Sequence, residues 1–267
     1  MKHTTLDAYN SNPRQLDDIK LIYEVLTTLA YKLKLNSICP PQIVPYYYGK
    51  VKKDIGVSGF ILLEGGHITI HTFPLRECYF LDVFSVKDFD PAIVENYLSL
   101  ILPYTASESL FISDGRYTPL AYGREFHAAS DFGPHVMVDI QTKEPMDMEK
   151  MSDFLEQLVP DIGMDPITRS YVLKSAIKKP KYLTGIIVIA QSHISLHYEY
   201  KTGKLFFDVF SCRAFDVTVL DPYLEMLGEL KFKVLVPRGR DHIDKVKAYH
   251  ARDEYRASSR WQKQIRK

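Results

Sequence analysis

Ser192, His193, His197 and Cys212 stand within one short stretch of this chain, and a serine and a cysteine beside imidazoles can do nucleophilic and proton-transfer chemistry. The stretch lies in a segment that occurs twice. Gly56–Asp90 reads GVSGFILLEGGHITIHTFPLRECYFLDVFSVKDFD, and Tyr182–Asp216 reads YLTGIIVIAQSHISLHYEYKTGKLFFDVFSCRAFD. The copies align without a gap at a constant offset of 126. His67 matches His193, His71 matches His197, and Asp82–Ser85 matches Asp208–Ser211. Ser192 and Cys212 belong to the second copy alone, because the first has Gly66 and Val86 there. A duplication that differs at a serine and a cysteine points to one chemical site on a two-fold scaffold.

Successive side chains of a strand point to opposite faces. In a strand over 192–197, Ser192, Ile194 and Leu196 share one face and His193, Ser195 and His197 the other. Ser192 and His197 are therefore badly placed to meet, and a Ser–His pair is more naturally made with the other copy. Packing at an inter-sheet interface is the plain alternative for all four histidines. No Asp or Glu is placed by spacing as the orienter of a triad. Neither a glycine-rich phosphate loop nor an HExxH pattern occurs.

The elements that would position these residues also come in two sets. In the first, His3–Asp7 reads as a short strand, and apolar residues at helical spacing predict a helix over Leu16–Lys34. After the Pro40-Pro41 break, Ile43–Tyr48, Val57–Leu63, Ile68–Phe73 and Cys78–Phe84 read as strands, followed by a helix over Pro91–Leu102. In the second, His135–Asp139 echoes His3–Asp7, and a helix is predicted over Asp147–Leu158. Strands follow at Ser170–Ala176, Gly185–Ala190, His193–Tyr200 and Lys204–Phe210, then a helix over Val219–Glu229. The class is α+β, with two tandem β-α-β-β-β-α-β repeats expected to form a four-layer α-β-β-α sandwich. The expected division is a first repeat over 1–110, a linker over 111–131, a second repeat over 132–240 and a basic tail over 241–267.

Composition narrows the function classes. The chain has 267 residues, 46% hydrophobic and 25% charged, which is ordinary for a globular protein. A net charge of +1 implies neither a nucleic-acid nor an anionic-membrane partner. With no secretory signal and no long apolar run, a cytoplasmic chain is expected. Cys39, Cys78 and Cys212 have neither disulfide nor zinc spacing, and no metal is expected.

The run Gly185–His197 followed by Asp208–Cys212 resembles the signature of the S-adenosylmethionine decarboxylase family, pyruvoyl-dependent enzymes of polyamine biosynthesis. Ser192, His197 and Cys212 fall at the spacing of its bacterial and archaeal members, and the resemblance covers both repeats to about residue 235. It implies that the Ser192 hydroxyl attacks the carbonyl of Gln191, and that elimination cuts the chain there and leaves a pyruvoyl group from Ser192. That ketone would form a Schiff base with a small amino-acid-type substrate and draw electrons as carbon dioxide leaves. Cys212 would be the proton donor. The family's processing serine and histidine, eight positions before and five after the pyruvoyl site, fall at Ser58 and His71 when counted from Gly66. The second repeat has Thr184 at the serine position. One composite site is therefore expected: Ser192 and Cys212 from one half, Ser58 and His71 from the other, with His197 structural. The chain would be a monomer with an internal pseudo-dimer, or a homodimer.

Three departures bear on the substrate. Gln191 replaces the family's glutamate before the serine, and the ribose-binding glutamate position holds Leu75 or Lys201. The adenine-stacking aromatic position holds Lys52 or Lys178, although Tyr46, Tyr47 and Tyr48 lie near. Arginine or ornithine is the alternative substrate, and a non-catalytic paralogue that binds a small molecule or regulates a partner enzyme is the alternative role.

Overall fold

The computed structural model describes residues 2–113, 116–119 and 132–239. Most of the expected linker and the basic tail from 241 onward lie outside them. The first half runs β1 (Lys2–Tyr9), α1 (Pro13–Leu16), α2 (Ile19–Lys32), β2 (Gln42–Tyr46), β3 (Gly56–Leu63), β4 (Gly66–Phe73), β5 (Cys78–Ser85), α3 (Pro91–Ile101), β6 (Ala106–Ser113) and β7 (Arg116–Pro119). The second runs β8 (Gly133–Thr142), α4 (Met148–Asp161), β9 (Tyr171–Lys174), β10 (Tyr182–Ile189), β11 (Ser192–Glu199), β12 (Lys204–Phe210), α5 (Leu220–Leu227) and β13 (Gly228–Arg238). Four strands, one more than the unit formula, lie between the two main helices of each half.

Each half folds its strands into one antiparallel sheet. The orders are β2-β3-β4-β5-β1-β6-β7 and β13-β8-β12-β11-β10-β9. The second is the first in reverse, without a β7 counterpart among the described residues. Alternation along the strands assigns their faces. Outward residues such as Ile68, Ile70, Leu81 and Val83 pack with Ile22, Val25, Leu26 and Leu29 of α2. On the other side, Ile194, Leu196, Phe207 and Val209 pack with Met151, Leu155 and Leu158 of α4. The helices start where aspartate caps allow: Asp18 accepts from Leu21 N–H at 3.0 Å and Asp147 from Lys150 N–H at 2.9 Å. Helices thus cover the outer faces, the inner faces meet, and the architecture is the four-layer sandwich.

Two elements differ from the sequence expectation. The helix expected to reach Glu229 stops at Leu227, and Gly228 opens β13 along β8. A side chain at 228 would sit 2.1 Å from the Gln141 carbonyl oxygen, so glycine permits the close approach. β6, paired with β1, runs to Ser113, three residues into the linker expected from 111. Its exposed Ala106 and Ser107 hide a strand whose Leu110 and Ile112 pack on Met137 and Val236. No helix among the described residues is long and apolar enough to cross a membrane.

Candidate active site

The inner faces are apolar at their margins and polar in the middle. Phe60 and Leu62 meet Ile186 and Val188 at one side. Phe73, Phe80 and Phe132 meet Phe210 and Cys212 at another. Between them lie His3, His67, His71, His135, His193, His197, Asp82 and Asp208, all buried. Ser192 sits at the edge of this layer, where β11 begins.

Ala190 and Gln191 form the two-residue link between β10 and β11. Gln191 has φ +55°, a left-handed conformation disfavoured for a side-chain-bearing residue. Its counterpart in the first repeat is Gly65, with φ +75°. Strain of about 1–2 kcal/mol therefore sits on the peptide before Ser192. Ser192 is fully buried, and its hydroxyl donates to the Ala190 carbonyl at 3.3 Å. The same oxygen accepts from the Cys212 backbone N–H at 2.8 Å. The Cys212 thiol also reaches the Ala190 carbonyl, at 3.3 Å. Ser211 holds Cys212 in its turn by accepting from Arg213 N–H at 3.0 Å and donating to Arg213 O at 2.6 Å. Burial foremost, and then Asp54, pushes the Cys212 thiol up to about 11, so it keeps its proton at neutral pH.

Ser58 and His71 face each other across β3 and β4, and Ser58 Oγ lies 2.8 Å from His71 Nδ1. Ser58 also crosses to the other half, donating to Gln191 Oε1 at 2.9 Å. The structure thus brings Ser58, His71, Gln191, Ser192 and Cys212 together. It places His197 elsewhere, with Thr184 Oγ1 at 3.3 Å and His67 Nδ1 at 2.7 Å. The first-repeat counterpart of the serine has no room for one: a Cβ at Gly66 would lie 2.2 Å from the Phe84 carbonyl oxygen.

Sequence spacing placed no carboxylate near these imidazoles; the sheet register corrects this. Thr69 pairs with Asp82 and Ser195 with Asp208, which sets both carboxylates on the inner faces. Asp208 Oδ2 lies 3.0 Å from His135 Nε2 and 3.1 Å from His193 Nε2. Asp82 Oδ2 lies 2.7 Å from His67 Nε2, and its other oxygen contacts His3. Arg238 closes the layer, with Nη1 2.8 Å from His135 Nδ1 and Nε donating to Asp7 at 2.5 Å. Arg238 and Asp7 were missed because nothing in the sequence ties the first strand to the last.

Among the described residues, His3, Asp82, His135 and Asp208, and likewise His67, Asp82, His193 and Asp208, bring ligand-type atoms within 4.8 Å of one another. These atoms already bond each other. Because Arg238 can only donate, His135 Nδ1 accepts and its Nε2 carries the proton aimed at Asp208. In this arrangement the carboxylates and imidazoles hydrogen-bond one another.

Charge in the layer follows from these contacts. For Asp82 and Asp208 burial opposes ionisation, but the imidazoles around them outweigh it and hold both well below the usual carboxylate range. Burial, then a neighbouring imidazole, pushes His71 and His197 well below their ordinary value. Burial takes His135 down to about 4 against the pull of Asp82 and Asp208. Burial opposes the charge on His193 too, but hydrogen bonds to Asp208 and Asp82 raise it to about 9. Lowered groups stabilise the fold above their unfolded values, so stability drops as pH falls below about 6.5 for the three histidines and about 4 for the aspartates. The raised His193 contributes fully below about 6.5, and that contribution is lost as pH rises through about 9. Denaturation midpoints are thus expected to peak near neutrality and to fall at about pH 5 and about pH 9. A flat profile would mean that the layer is not charged in this way.

Beside Ser192 lies a cavity of about 440 Å³. Tyr46, Tyr48 and Lys50 line it from the first half, and Asp165, Cys212 and Arg213 from the second.

The sequence of both halves matches a known family. The family model described as S-adenosylmethionine decarboxylase matches residues 2–109 and again 134–232. The chain belongs to the S-adenosylmethionine decarboxylase family. The S-adenosylmethionine decarboxylase proenzyme 2 of Halalkalibacterium halodurans is 25% identical over 117 residues, 43% of this chain and 85% of the relative. The proenzyme of Bacillus velezensis is 33% identical over 116 residues, 43% of this chain and 85% of its own. Such relatives have the length of one repeat. The match to the adenosylmethionine decarboxylase structure from Aquifex aeolicus covers 46% of this chain and 96% of that one at 18% identity, with a TM-score of 0.37.

Proposed function

We propose that this chain is the precursor of a pyruvoyl-dependent decarboxylase of polyamine biosynthesis that cleaves itself between Gln191 and Ser192. The observation that carries this reading is the contact of Ser58 with Gln191 across the two halves, beside a left-handed peptide and a serine that opens on a cavity. Relatives described as proenzymes support a chain that matures by cutting.

The residues suit such a group. Ser192, its source, stands at the head of β11 between the cavity and the backbone N–H of Cys212. When formed, the group supplies the electron sink for loss of carbon dioxide from a bound amine. Cys212 contributes a thiol that burial keeps protonated and that can deliver its proton where the carboxylate has left. Tyr46 and Tyr48, whose rings meet edge to face, provide an aromatic wall for the substrate, and Asp165 a carboxylate for its polar end. Asp165 suits ribose hydroxyls or a side-chain cation, so S-adenosylmethionine comes first and arginine or ornithine second. Both halves lie in one chain, so a monomer holds a complete site.

The intact mass of the purified protein tests the reading. Chains spanning residues 1–191 and 192–267, the latter blocked at its first residue, support it; one chain of 30.8 kDa favours the non-catalytic paralogue. Carbon dioxide release from the three candidates, measured side by side, then assigns the substrate. Cys212→Ala is expected to permit cleavage while lowering turnover by roughly 10²-fold or more. Turnover equal to that of the parent would remove Cys212 from the mechanism.

A further inference from the structure

The Ser58–His71 pair does not end at His71. His71 Nε2 lies 2.9 Å from His193 Nδ1, and His193 Nε2 lies 3.1 Å from Asp208 Oδ2 and 3.7 Å from Asp82 Oδ2. The rings of His71 and His193 are stacked with centroids 5.2 Å apart. A file of hydrogen bonds therefore runs from two carboxylates through two imidazoles and a hydroxyl to the side chain of Gln191. The two-fold related file, Asp82–His67–His197–Thr184, has the same order. It ends at a glycine pair, Gly65-Gly66, with no side chain to receive it.

We infer that His193 is a positioning residue for chain cleavage: as an imidazolium held by Asp208 and Asp82, it donates Nδ1–H to His71 Nε2 and fixes His71 in its Nδ1–H form. The Ser58–His71 pair then faces the Gln191–Ser192 peptide as a proton-donating arm. This rests on the reading that this peptide is the one cut.

A ring nitrogen facing two carboxylate oxygens must carry a proton, which settles Nε2 of His193. Between His193 and His71 only one proton fits, and the charges around them decide its place. Asp82 on β5 and Asp208 on β12 face His193, with His67 on β4 and His135 on β8 edge-on to it, and the Ser195 hydroxyl on β11 bonds the other oxygen of Asp208. His71 contacts neither carboxylate, and Arg238 on β13 adds positive charge that disfavours its protonation. The proton stays on His193. His71 must then accept at Nε2, donate from Nδ1 to Ser58, and leave Ser58 to donate onward. When Ser192 Oγ bonds to the Gln191 carbonyl carbon and the C–N bond breaks, the proton lost by Oγ is balanced by the one gained by nitrogen. The arm stabilises charge developing on the carbonyl oxygen and takes up no net proton.

Nitrogen-15 NMR of histidine-labelled Ser192→Ala protein, which stays in one piece, reads the tautomer without any cleavage. Expected are a protonated Nδ1 and a bare Nε2 on His71, with both nitrogens of His193 protonated; a protonated Nε2 on His71 overturns the inference. Two variants then separate positioning from packing. His193→Asn keeps an amide donor near the place of Nδ1, whereas His193→Gln keeps one only near Nε2. Cleavage is expected to slow by less than about tenfold in Asn and by about 10²-fold in Gln, with His71 losing its Nδ1–H form only in Gln. Equal slowing, or none, in folded variants overturns the positioning role. A parent chain that never cuts would end the proposed function, yet the spectrum would still decide where the protons sit.

Discussion

Ser192→Ala is expected to leave a single chain of 30.8 kDa where the parent yields two. The change removes one oxygen that accepts a hydrogen bond from Cys212 and donates one to Ala190, so the local fold keeps its sheet register. It also removes the nucleophile. The strain at Gln191 raises the energy of the peptide, but about 1–2 kcal/mol is far too little to cut it without an attacking group. Intact-mass measurement after long incubation gives the answer directly. Cleavage of the variant at the same bond would mean that some other group attacks, and the assignment of Ser192 would fall.

Ser58→Ala and His71→Ala are each expected to slow cleavage by roughly 10²–10⁴-fold, the usual worth of a positioned proton-transfer group. His197→Ala is expected to change it by less than about tenfold. The comparison is unusually clean because the molecule contains its own control. His71 and His197 are both buried, both bond a hydroxyl-bearing residue across a hairpin, and both bond the histidine of the opposite half. Loss of packing should therefore cost the two variants alike. A time course of cut chain, with thermal melting measured in parallel, separates chemistry from stability. If His197→Ala blocks cleavage and His71→Ala does not, the working pair comes from the same half as Ser192.

Much of the layer arrangement was legible because each strand alternates on its own: Ile68 and Ile70 against His67, Thr69 and His71, and Ile194 and Leu196 against His193, Ser195 and His197. The duplication told which segments are equivalent, and so that the second half has Thr184 where the first has Ser58. Position within a strand does not tell which residue stands opposite. The role of Asp82 and Asp208 depended on the register of β4 with β5 and β11 with β12, which one residue of slip would reverse. Arg238 and Asp7, 231 residues apart, meet only when both sheets have closed. The helix end at Leu227 was hidden because Gly228 does not break the apolar spacing; its meaning lies in the Gln141 carbonyl beneath it.

The strand order of the second sheet carries a further consequence. Cut before Ser192, β8, β9 and β10 would belong to one piece and β11, β12 and β13 to the other. Along the sheet the owners would then alternate, because β8 lies between β13 and β12, and β11 lies beside β10. The two pieces would be laced together like the halves of a zip, and neither could leave without opening a six-stranded sheet. The mature protein should behave in native gel filtration as though it had never been severed, and only denaturant should reveal two polypeptides.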